Sequence, residues 1–517
     1  MKRHIGILLS ACLLLGLAPW TCLAQAPAST VVLVKVLPNK VRYTRGEAGT
    51  VQVTLRNTTT AEQAVTLEGD IAQELAVVAP LPPRAVTVPA NDELLVELPF
   101  TAPRREYGCA VRVRVLQAGK EIGRAQDMFS VADNVWNVAQ GAMLTIMDMS
   151  GRPWQNPAQD MQTARQSYFN WWEKMFWPPD DWGHMTPKED SWYSGQGGRY
   201  EIKKVITDFI TLANANGIAS MTYGKSTAGG PAGWEIARRH PDWFKQDAAG
   251  RIIGTYNTDI FARWDSLPQF AGRDWYYLYP DLTNPVALDH GIDEILNSSV
   301  EYGWDGVRFD GDFTWVGSGE VAAFNQRRMK ERIWAKLPNY VFGFNEGYGP
   351  PETDPATWPH SLRETLAGGG HWMNEGIRHY GYATNGVYAS YQEYWQGMNR
   401  DANQLRQLGA SYHLIYDAPR DLRGTYKVVL GTAAGAHPCY GDTAWIPGCA
   451  NWGRYLTRWS AFVWDVNLRN RPDTDVEITA QSPLWHVIKE RVADTKTTTT
   501  VVQLIVPPST LDVKDEK

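Results

Sequence analysis

Carboxylates in this chain recur directly after short apolar runs, at the points where buried strands would end. The sharpest case reads Gly-Val-Arg-Phe-Asp-Gly-Asp and runs to Asp312. Side chains alternate along a strand, so Val307 and Phe309 face one side while Arg308 and Asp310 face the other. The Arg308 guanidinium would hold Asp310 in its charged form. Such a carboxylate is suited to attack a sugar as a covalent nucleophile, although a structural ion pair at a strand end would give the same pattern.

A retaining glycosidase needs a second carboxyl group, which is protonated at rest and lies about 5–5.5 Å from the nucleophile. Two glutamates fit that role, Glu346 and Glu375, and each stands in the tripeptide Asn-Glu-Gly after an apolar run. Burial or a neighbouring like charge would raise the pKa of the acid. The pattern does not choose between the two glutamates, and the other one is expected to hydrogen-bond substrate hydroxyls.

Further polar residues at predicted strand ends are expected to contact the same ligand. They are Tyr223, Asp281, Arg308, Asp312, Asp417, His437 and Asp442. Aromatic faces stack on sugar rings, and Trp171, Trp172 and Trp177 lie at or just after one predicted strand end. Core packing is the alternative for each tryptophan, and a structural role is the alternative for His437.

A parallel α/β barrel is the arrangement that gathers the ends of many strands at one face. After about residue 140, strand-like and helix-like segments alternate, as that fold requires. The predicted strands cover 168–172, 218–223, 277–281, 304–310, 340–345, 371–374, 412–416 and 428–437. The predicted helices include 200–216, 286–302 and 322–337. Eight strands within about 270 residues predict a (β/α)8 TIM barrel over 140–474.

Two β modules are predicted to flank this barrel. Residues 28–135 contain short alternating β-branched runs separated by turn sequences, which predicts an immunoglobulin-like β-sandwich. We expect this module to be a structural spacer, with glycan binding as the alternative. After about residue 475 the alternation of strands and helices stops, and 475–517 is predicted to be an incomplete C-terminal β module.

Residues 1–24 have the pattern of a secretory signal peptide. Basic residues precede a mostly apolar run over 5–17, and the small residues Cys22 and Ala24 fit a cleavage site. Processing as a lipoprotein at Cys12 is a weaker alternative, because the apolar run continues past it. The protein is therefore expected to be exported to the periplasm, the cell surface or the medium.

Charge and composition restrict the partners. The formal net charge is −6 and no basic stripe is present, which argues against nucleic acid. After the signal, no segment is apolar over the roughly 20 residues that a membrane span needs. Chemistry by two carboxyl groups and water implies no cofactor and no metal, so the expected partner is an oligosaccharide or polysaccharide.

From about residue 168 to 442 the chain resembles glycoside hydrolase family 66, which contains the dextranases and the cycloisomaltooligosaccharide glucanotransferases. The segment Tyr-Phe-Asn-Trp that ends at Trp171 is similar to the first strand of the family, with Asn170 where the family has Asp. An aromatic-Asp-Gly before Asp310 is similar to the nucleophile strand. The segment from His437 to Asp442 is similar to the last strand, which carries a His and a Gly-Asp.

This resemblance implies a retaining attack on α-1,6-glucan, with Asn170 and Trp171 among the substrate contacts. In family 66 the acid/base follows the sixth strand, which selects Glu375. Arg308 departs from that family and is similar instead to the Gly-x-Arg-x-Asp strand of glycoside hydrolase family 13, whose acid follows the fifth strand and would be Glu346.

Three hypotheses follow from these patterns. The first is a retaining α-glucanase, with or without transglycosylation, and the second is a family 13-style hydrolase of another α-linked glycan. The third is an exported glycan-binding barrel without activity, since a fold does not fix a function. A glutamate that faces Asp310 at the retaining separation favours an enzyme, and Asp310 buried in a closed salt bridge favours the binding protein.

Overall fold

The computed structural model describes most of the chain up to residue 440 and a short C-terminal sheet. The described ranges are 30–73, 76–137, 141–144, 157–166, 168–195, 200–256, 276–311, 319–347, 349–375, 391–416, 431, 434–440, 474–482, 485–492 and 499–505. The predicted signal peptide lies outside them. None of the helices within these ranges is long and apolar enough to cross a membrane.

The N-terminal strands form two facing sheets. They are β1 (Val31–Pro38), β2 (Arg42–Tyr43), β3 (Ala48–Asn57), β4 (Gln63–Gln73), β5 (Ala76–Val88), β6 (Glu93–Thr101), β7 (Tyr107–Gln117) and β8 (Lys120–Val131). One sheet has the order β1-β3-β6 and the other β2-β8-β7-β4-β5. Alternate residues of β3, namely Val51, Val53 and Leu55, are buried between the sheets, as a half-buried strand requires. The two sheets share one hydrophobic core.

The next strands build the part of the molecule that carries the predicted site. They are β9 (Gly141–Leu144), β10 (Trp171–Lys174), β11 (Ser191–Tyr193), β12 (Tyr200–Ile202), β13 (Ala219–Gly224), β14 (Gly254–Tyr256), β15 (Tyr276–Leu278), β16 (Gly306–Asp310), β17 (Val341–Asn345), β18 (His371–Asn374), β19 (Ser411–Tyr416) and β20 (His437–Tyr440). Strands β9, β10, β13, β16, β17, β18, β19 and β20 follow one another around a closed barrel. Every neighbouring pair in it is parallel, so all the strand ends meet at one mouth.

Helices in the described ranges lie between consecutive barrel strands. They are α1 (Pro157–Gln166), α2 (Lys203–Ala215), α3 (Gly230–Arg239), α4 (Pro285–Tyr302), α5 (Gly319–Trp334), α6 (His360–Leu366) and α7 (Tyr391–Gln407). Helix α4 shows how the sequence sets these bounds. Asn284 caps its first turn by accepting the Val286 N–H at 3.0 Å, and Gly303 ends it in the left-handed region at φ 85°. The chain then enters β16, which carries Asp310.

The strand predictions need four corrections, of which the first concerns β10: this strand is Trp171–Lys174, where 168–172 was predicted. Residues 277–281 do not form a barrel strand, because Tyr276–Leu278 pairs antiparallel with Gly254–Tyr256 in a separate two-stranded sheet. The first barrel strand is instead Gly141–Leu144, which the prediction missed. The last barrel strand is His437–Tyr440, where 428–437 was predicted. A short apolar run identifies a buried strand, but it does not identify the partner strand.

The closed lower end of the barrel is filled by aromatic rings. Trp136, from the short helical turn before β9, lies 5.2 Å from the Trp171 ring and 4.1 Å from the His371 ring. His413 lies 4.3 Å from His371 and stacks on His437 at 4.8 Å. All of these side chains are buried. They make the lower barrel a packed core rather than a channel.

The sandwich and the barrel are joined by specific hydrogen bonds. The Val41 N–H donates to the Asn216 carbonyl at 2.9 Å, and the Asn134 amide donates to the Gly369 carbonyl at 3.0 Å. At the other end of the chain, β21 (Thr474–Ser482), β22 (Trp485–Val492) and β23 (Thr499–Ile505) form an antiparallel sheet within the predicted C-terminal module.

Candidate active site

Asp310 is the last residue of β16 and stands at the mouth of the barrel. Its Oδ2 accepts the Tyr223 hydroxyl at 2.9 Å, and the Lys225 Nζ lies 3.8 Å away. Its Oδ1 accepts the Asn345 amide at 2.9 Å and the Arg308 Nη1 at 3.3 Å. Its side chain remains 32% exposed, so the carboxylate is open to a ligand and not enclosed in a sealed ion pair.

The surroundings of Asp310 favour its charged form. Burial acts to raise the pKa of this carboxyl, but the charges of Arg308 and Lys225 and the hydrogen bonds from Tyr223 and Asn345 outweigh it and lower the pKa below its ordinary value. The carboxylate is therefore ionised at neutral pH, which a nucleophile requires.

Arg308 is itself held rigidly inside the barrel. Its Nε donates to Glu173 at 2.8 Å, and its guanidinium carbon lies 5.3 Å from the centre of the Tyr223 ring. Both Arg308 and Glu173 are buried. Burial acts against the charged guanidinium, yet Glu173 and Asp310 raise the pKa of Arg308 above its ordinary value. The guanidinium is thus a fixed positive charge beneath Asp310.

Asn345 joins Asp310 to Glu375. Its Nδ2 donates to Asp310 Oδ1 at 2.9 Å and to Glu375 Oε2 at 2.8 Å. The two oxygens can therefore be no more than about 5.7 Å apart, the sum of those two bond lengths. This limit includes the carboxyl separation of about 5–5.5 Å found in retaining glycosidases and lies below the roughly 6.5–9.5 Å of inverting ones.

Glu346 follows β17 and is half-buried. Its backbone N–H donates to the Met373 carbonyl at 3.1 Å, and the next residue, Gly347, donates to the Asn345 side-chain oxygen at 3.1 Å. The backbone at Glu346 is thus hydrogen-bonded to the end of β18. The glutamate that shares the Asn345 amide donor with Asp310 is Glu375.

Three residues near Asp310 were missed by the sequence analysis. Asn345 was noticed only as part of an Asn-Glu-Gly tripeptide, and Lys225 comes directly after β13, where the rule for strand ends could have found it. Asp181 belongs to the connection after β10 and gives no such signal. Its carboxyl is buried, and its pKa is raised by burial and by the charges of Asp180 and Asp310, against the opposing effect of Lys225.

Several predicted ligand contacts lie away from the mouth. Trp171, Trp172 and Trp177 are fully buried and form no stacking platform. Asn170 precedes β10 and lies with Trp171 at the lower end of the barrel, because the strand begins at Trp171 and not at residue 168. His437 begins β20 and stacks on His413 in the interior. The predicted contacts Asp312, Asp417 and Asp442 lie outside the described residues.

Comparison with solved structures shows a similarity of fold. A Paenibacillus cycloisomaltooligosaccharide glucanotransferase, solved with cycloisomaltoheptaose, superposes with a TM-score of 0.54 at 13% identity, over 76% of this chain and 54% of that enzyme. This chain thus spans about half the length of that protein. An Anoxybacillus α-amylase has a TM-score of 0.45 at 10% identity, over 72% of this chain and 87% of that one. No family model and no curated protein sequence matches the chain.

Proposed function

We propose that this protein is a retaining glycoside hydrolase or transglycosylase of α-linked glucan, with Asp310 as nucleophile and Glu375 as acid/base. The observation that carries the proposal is the Asn345 amide, which donates to both carboxyl groups and so keeps one oxygen of each within about 5.7 Å of the other, below the roughly 6.5–9.5 Å of inverting enzymes. The low pKa of Asp310 supports its role, since the attacking carboxylate must be ionised.

In the first step, Asp310 attacks the anomeric carbon while Glu375 gives its proton to the departing glycosidic oxygen. This step forms a covalent glycosyl ester on Asp310 and frees the alcohol end of the cleaved glycan. In the second step, Glu375 takes a proton from water, whose oxygen attacks the anomeric carbon and releases Asp310. An acceptor sugar hydroxyl in place of water would give transglycosylation. Arg308 and Lys225 favour the return of Asp310 to its anionic form.

The proposed substrate is an α-1,6-glucan. The family 66 resemblance favours α-1,6-glucan, and the fold similarity to a cycloisomaltooligosaccharide glucanotransferase is consistent with it. We place the half-buried Lys225 and Glu346 among the groups that hydrogen-bond the sugar, whereas Tyr223 is buried and acts on Asp310 through its hydroxyl. The same proposal includes a (β/α)8 barrel of the TIM type, an immunoglobulin-like N-terminal sandwich and export by the signal peptide.

The test is product release from dextran, starch and pullulan by the unmodified protein and by Asp310→Asn, Glu375→Gln and Glu346→Gln. Glu235→Gln, on the exposed face of α3, is the matched control because its side chain pairs only with a surface arginine among the described contacts. We expect dextran cleavage that is lost in Asp310→Asn and Glu375→Gln but partly kept in Glu346→Gln.

Other outcomes would redirect the proposal. Starch cleavage that depends on Glu346 would move the acid to the end of β17, as in family 13. The absence of cleavage on every glycan by the unmodified protein would contradict an enzymatic function. Binding of the same glycans, measured by calorimetry, would then identify a glycan-binding barrel.

A further inference from the structure

A chain of buried hydrogen bonds lies directly behind Glu375. The Asn374 Nδ2 donates to the Tyr412 hydroxyl at 2.8 Å, and this hydroxyl donates to Asp401 Oδ2 at 3.1 Å. Asn374 ends β18, Tyr412 belongs to β19 and Asp401 to α7. All three side chains are less than a tenth exposed. The chain therefore connects a barrel strand end to the outer helix layer without passing through water.

The direction of these hydrogen bonds is set by Asp401. Burial raises the pKa of Asp401 to about 6, so at neutral pH its carboxylate is ionised and only accepts, and the Tyr412 hydroxyl donates to it. The Asn374 amide must then present its NH2 group to Tyr412. Arg400 donates to the other Asp401 oxygen, Oδ1, at 3.0 Å and 2.9 Å, which fixes the carboxylate. Every group in the chain has one orientation.

The residues of β18 alternate between the two faces of the barrel wall. His371 and Met373 face the interior, where Met373 packs in the lower core, whereas Trp372 packs in the outer core. By the same alternation Asn374 faces outward, to Tyr412, and Glu375 faces inward, to Asn345. The hydrogen bonds of Asn374, Tyr412 and Asp401 thus fix the end of β18 on its outer side, opposite the Glu375 carboxyl.

The segment after β17 packs against the same network. A Cβ atom on Gly349 would stand 2.9 Å from Asp401 Oδ2 and 3.6 Å from the Tyr412 hydroxyl. The Gln404 amide, one turn along α7, donates to the Thr353 carbonyl at 2.9 Å. Little room remains for Asn374 to change its position.

We propose that Asn374, Tyr412 and Asp401 are positioning residues that hold Glu375 in the geometry needed for proton transfer. The inference rests on the proposed function, in which Glu375 is the acid/base. Proton transfer requires heavy atoms within about 2.6–3.2 Å of each other. Asn345 holds the carboxylate from the interior, and the network fixes the preceding residue from outside, so Glu375 is restrained from both sides.

The first test varies the need for acid catalysis. Tyr412→Phe removes the central hydroxyl and keeps the ring, and kcat/KM is measured with phenyl α-isomaltoside and with α-isomaltosyl fluoride. The phenol is a poor leaving group that requires a proton from Glu375, and the fluoride requires much less assistance. We expect kcat/KM to fall about tenfold for the phenyl compound, which is less than the roughly 10²–10⁴-fold of a full general-acid contribution, and to stay within about twofold for the fluoride.

Tyr340→Phe is the matched control. Its hydroxyl is likewise buried and bonds Ser299 at 2.7 Å, but Tyr340 directly precedes β17, at the end of the barrel opposite the mouth that carries Glu375. It should leave the ratio of the two kcat/KM values unchanged. Asp401→Asn, which keeps the shape and removes the charge, should shift the ratio in the same direction as Tyr412→Phe. An equal change for both substrates in Tyr412→Phe, or no change, would overturn the proposal.

A second readout needs no activity. Carbodiimide coupling of Glu375 to glycine ethyl ester, followed by mass spectrometry of the peptide, reports the accessibility and protonation of that carboxyl. We expect the coupling rate to change severalfold in Tyr412→Phe and Asp401→Asn, and to match the unmodified protein in Tyr340→Phe. If the unmodified protein cleaves no substrate, the proposed function fails, and equal coupling rates in all four proteins overturn the positioning role independently.

Discussion

Replacing Arg308 by methionine separates the two roles that this buried arginine plays. It neutralises Glu173 through a 2.8 Å ion pair inside the barrel, and it lowers the pKa of Asp310 from a distance of 3.3 Å. The first role is structural, and the second belongs to the proposed mechanism. The double variant Glu173→Gln/Arg308→Met removes both charges of the ion pair. It therefore tests the effect of Arg308 on Asp310 without leaving an unpaired Glu173 charge in the barrel.

The magnitude of each effect follows from the geometry. At 3.3 Å and an effective dielectric constant of about 20, two unit charges attract by about 5 kcal/mol. Because Asp310 is 32% exposed, water reduces this value, and we expect the pKa of Asp310 to rise from its lowered value without Arg308. Arg308→Met alone should also lower the free energy of unfolding by about 3–5 kcal/mol, since a buried Glu173 charge loses its neutralising partner.

Two measurements distinguish the roles. Urea unfolding should show a large loss of stability in Arg308→Met and recovery of most of it in Glu173→Gln/Arg308→Met. The pH dependence of kcat/KM reports the nucleophile of the free enzyme. Since Asp310 must be ionised to attack, a higher pKa moves the acid limb of that profile to higher pH in both variants.

The reasoning fails if the double variant recovers its stability and keeps the acid limb of the unmodified protein. Arg308 would then be a structural partner of Glu173, and the ionisation of Asp310 would have another cause. A loss of activity at every pH, without movement of the acid limb, would contradict the electrostatic role in the same way.

Three further predictions concern neighbouring groups. Asn345→Ala should lower kcat/KM roughly 10- to 100-fold, since it removes a charge-assisted hydrogen bond of about 1.5–3 kcal/mol to the Asp310 carboxylate and a second bond to the Glu375 carboxyl; unchanged kinetics would contradict the bridging role. Lys225→Met should move the acid limb upward by less than Arg308→Met does, because its amine is farther from Asp310, at 3.8 Å, and 20% exposed; a larger shift would refute the ranking. Burial lowers the pKa of His371 well below its ordinary value. Below about pH 6.5 the unfolded chain binds a proton that the native ring does not, so the free energy of unfolding should fall by about 1.4 kcal/mol for each pH unit of acidification. His371→Phe should reduce this slope, measured by urea unfolding at pH 7.5 and 5.5.

The sequence predicted Asp310 with its neighbouring arginine because both lie on one strand. Alternation along β16 fixes which side chains share a face, and this rule needs no knowledge of the rest of the fold. Asn345 and Lys225 reach the same carboxylate from β17 and from the end of β13. Contacts between strands depend on the register and closure of the barrel, which the local pattern does not contain.

The stacking platform was wrongly predicted because the strand was placed three residues too early. The backbone N–H groups of Tyr168 and Phe169 donate to carbonyls in the last turns of α1, at 3.0 Å and 3.1 Å, and Tyr168 has a positive φ of 58°. Residues 168–170 therefore end a helix and turn into β10. Once the strand begins at Trp171, its tryptophans lie low in the barrel wall, where burial of large rings stabilises the fold.

The repeated tripeptide Asn-Glu-Gly does not show which side of the barrel wall Glu346 and Glu375 face. Both stand in Asn-Glu-Gly at a strand end, yet Asn345 faces the interior and bonds Asp310, whereas Asn374 faces outward and bonds Tyr412. Since successive residues alternate, the glutamate after the outward asparagine is directed to the interior. The preceding residues show which face each asparagine takes. Phe342 and Phe344 are the outward pair of β17, and Trp372 is the outward residue of β18. On that basis the faces of the strands direct Glu375, and not Glu346, to the interior, because the same three residues are one step out of phase with respect to the barrel axis.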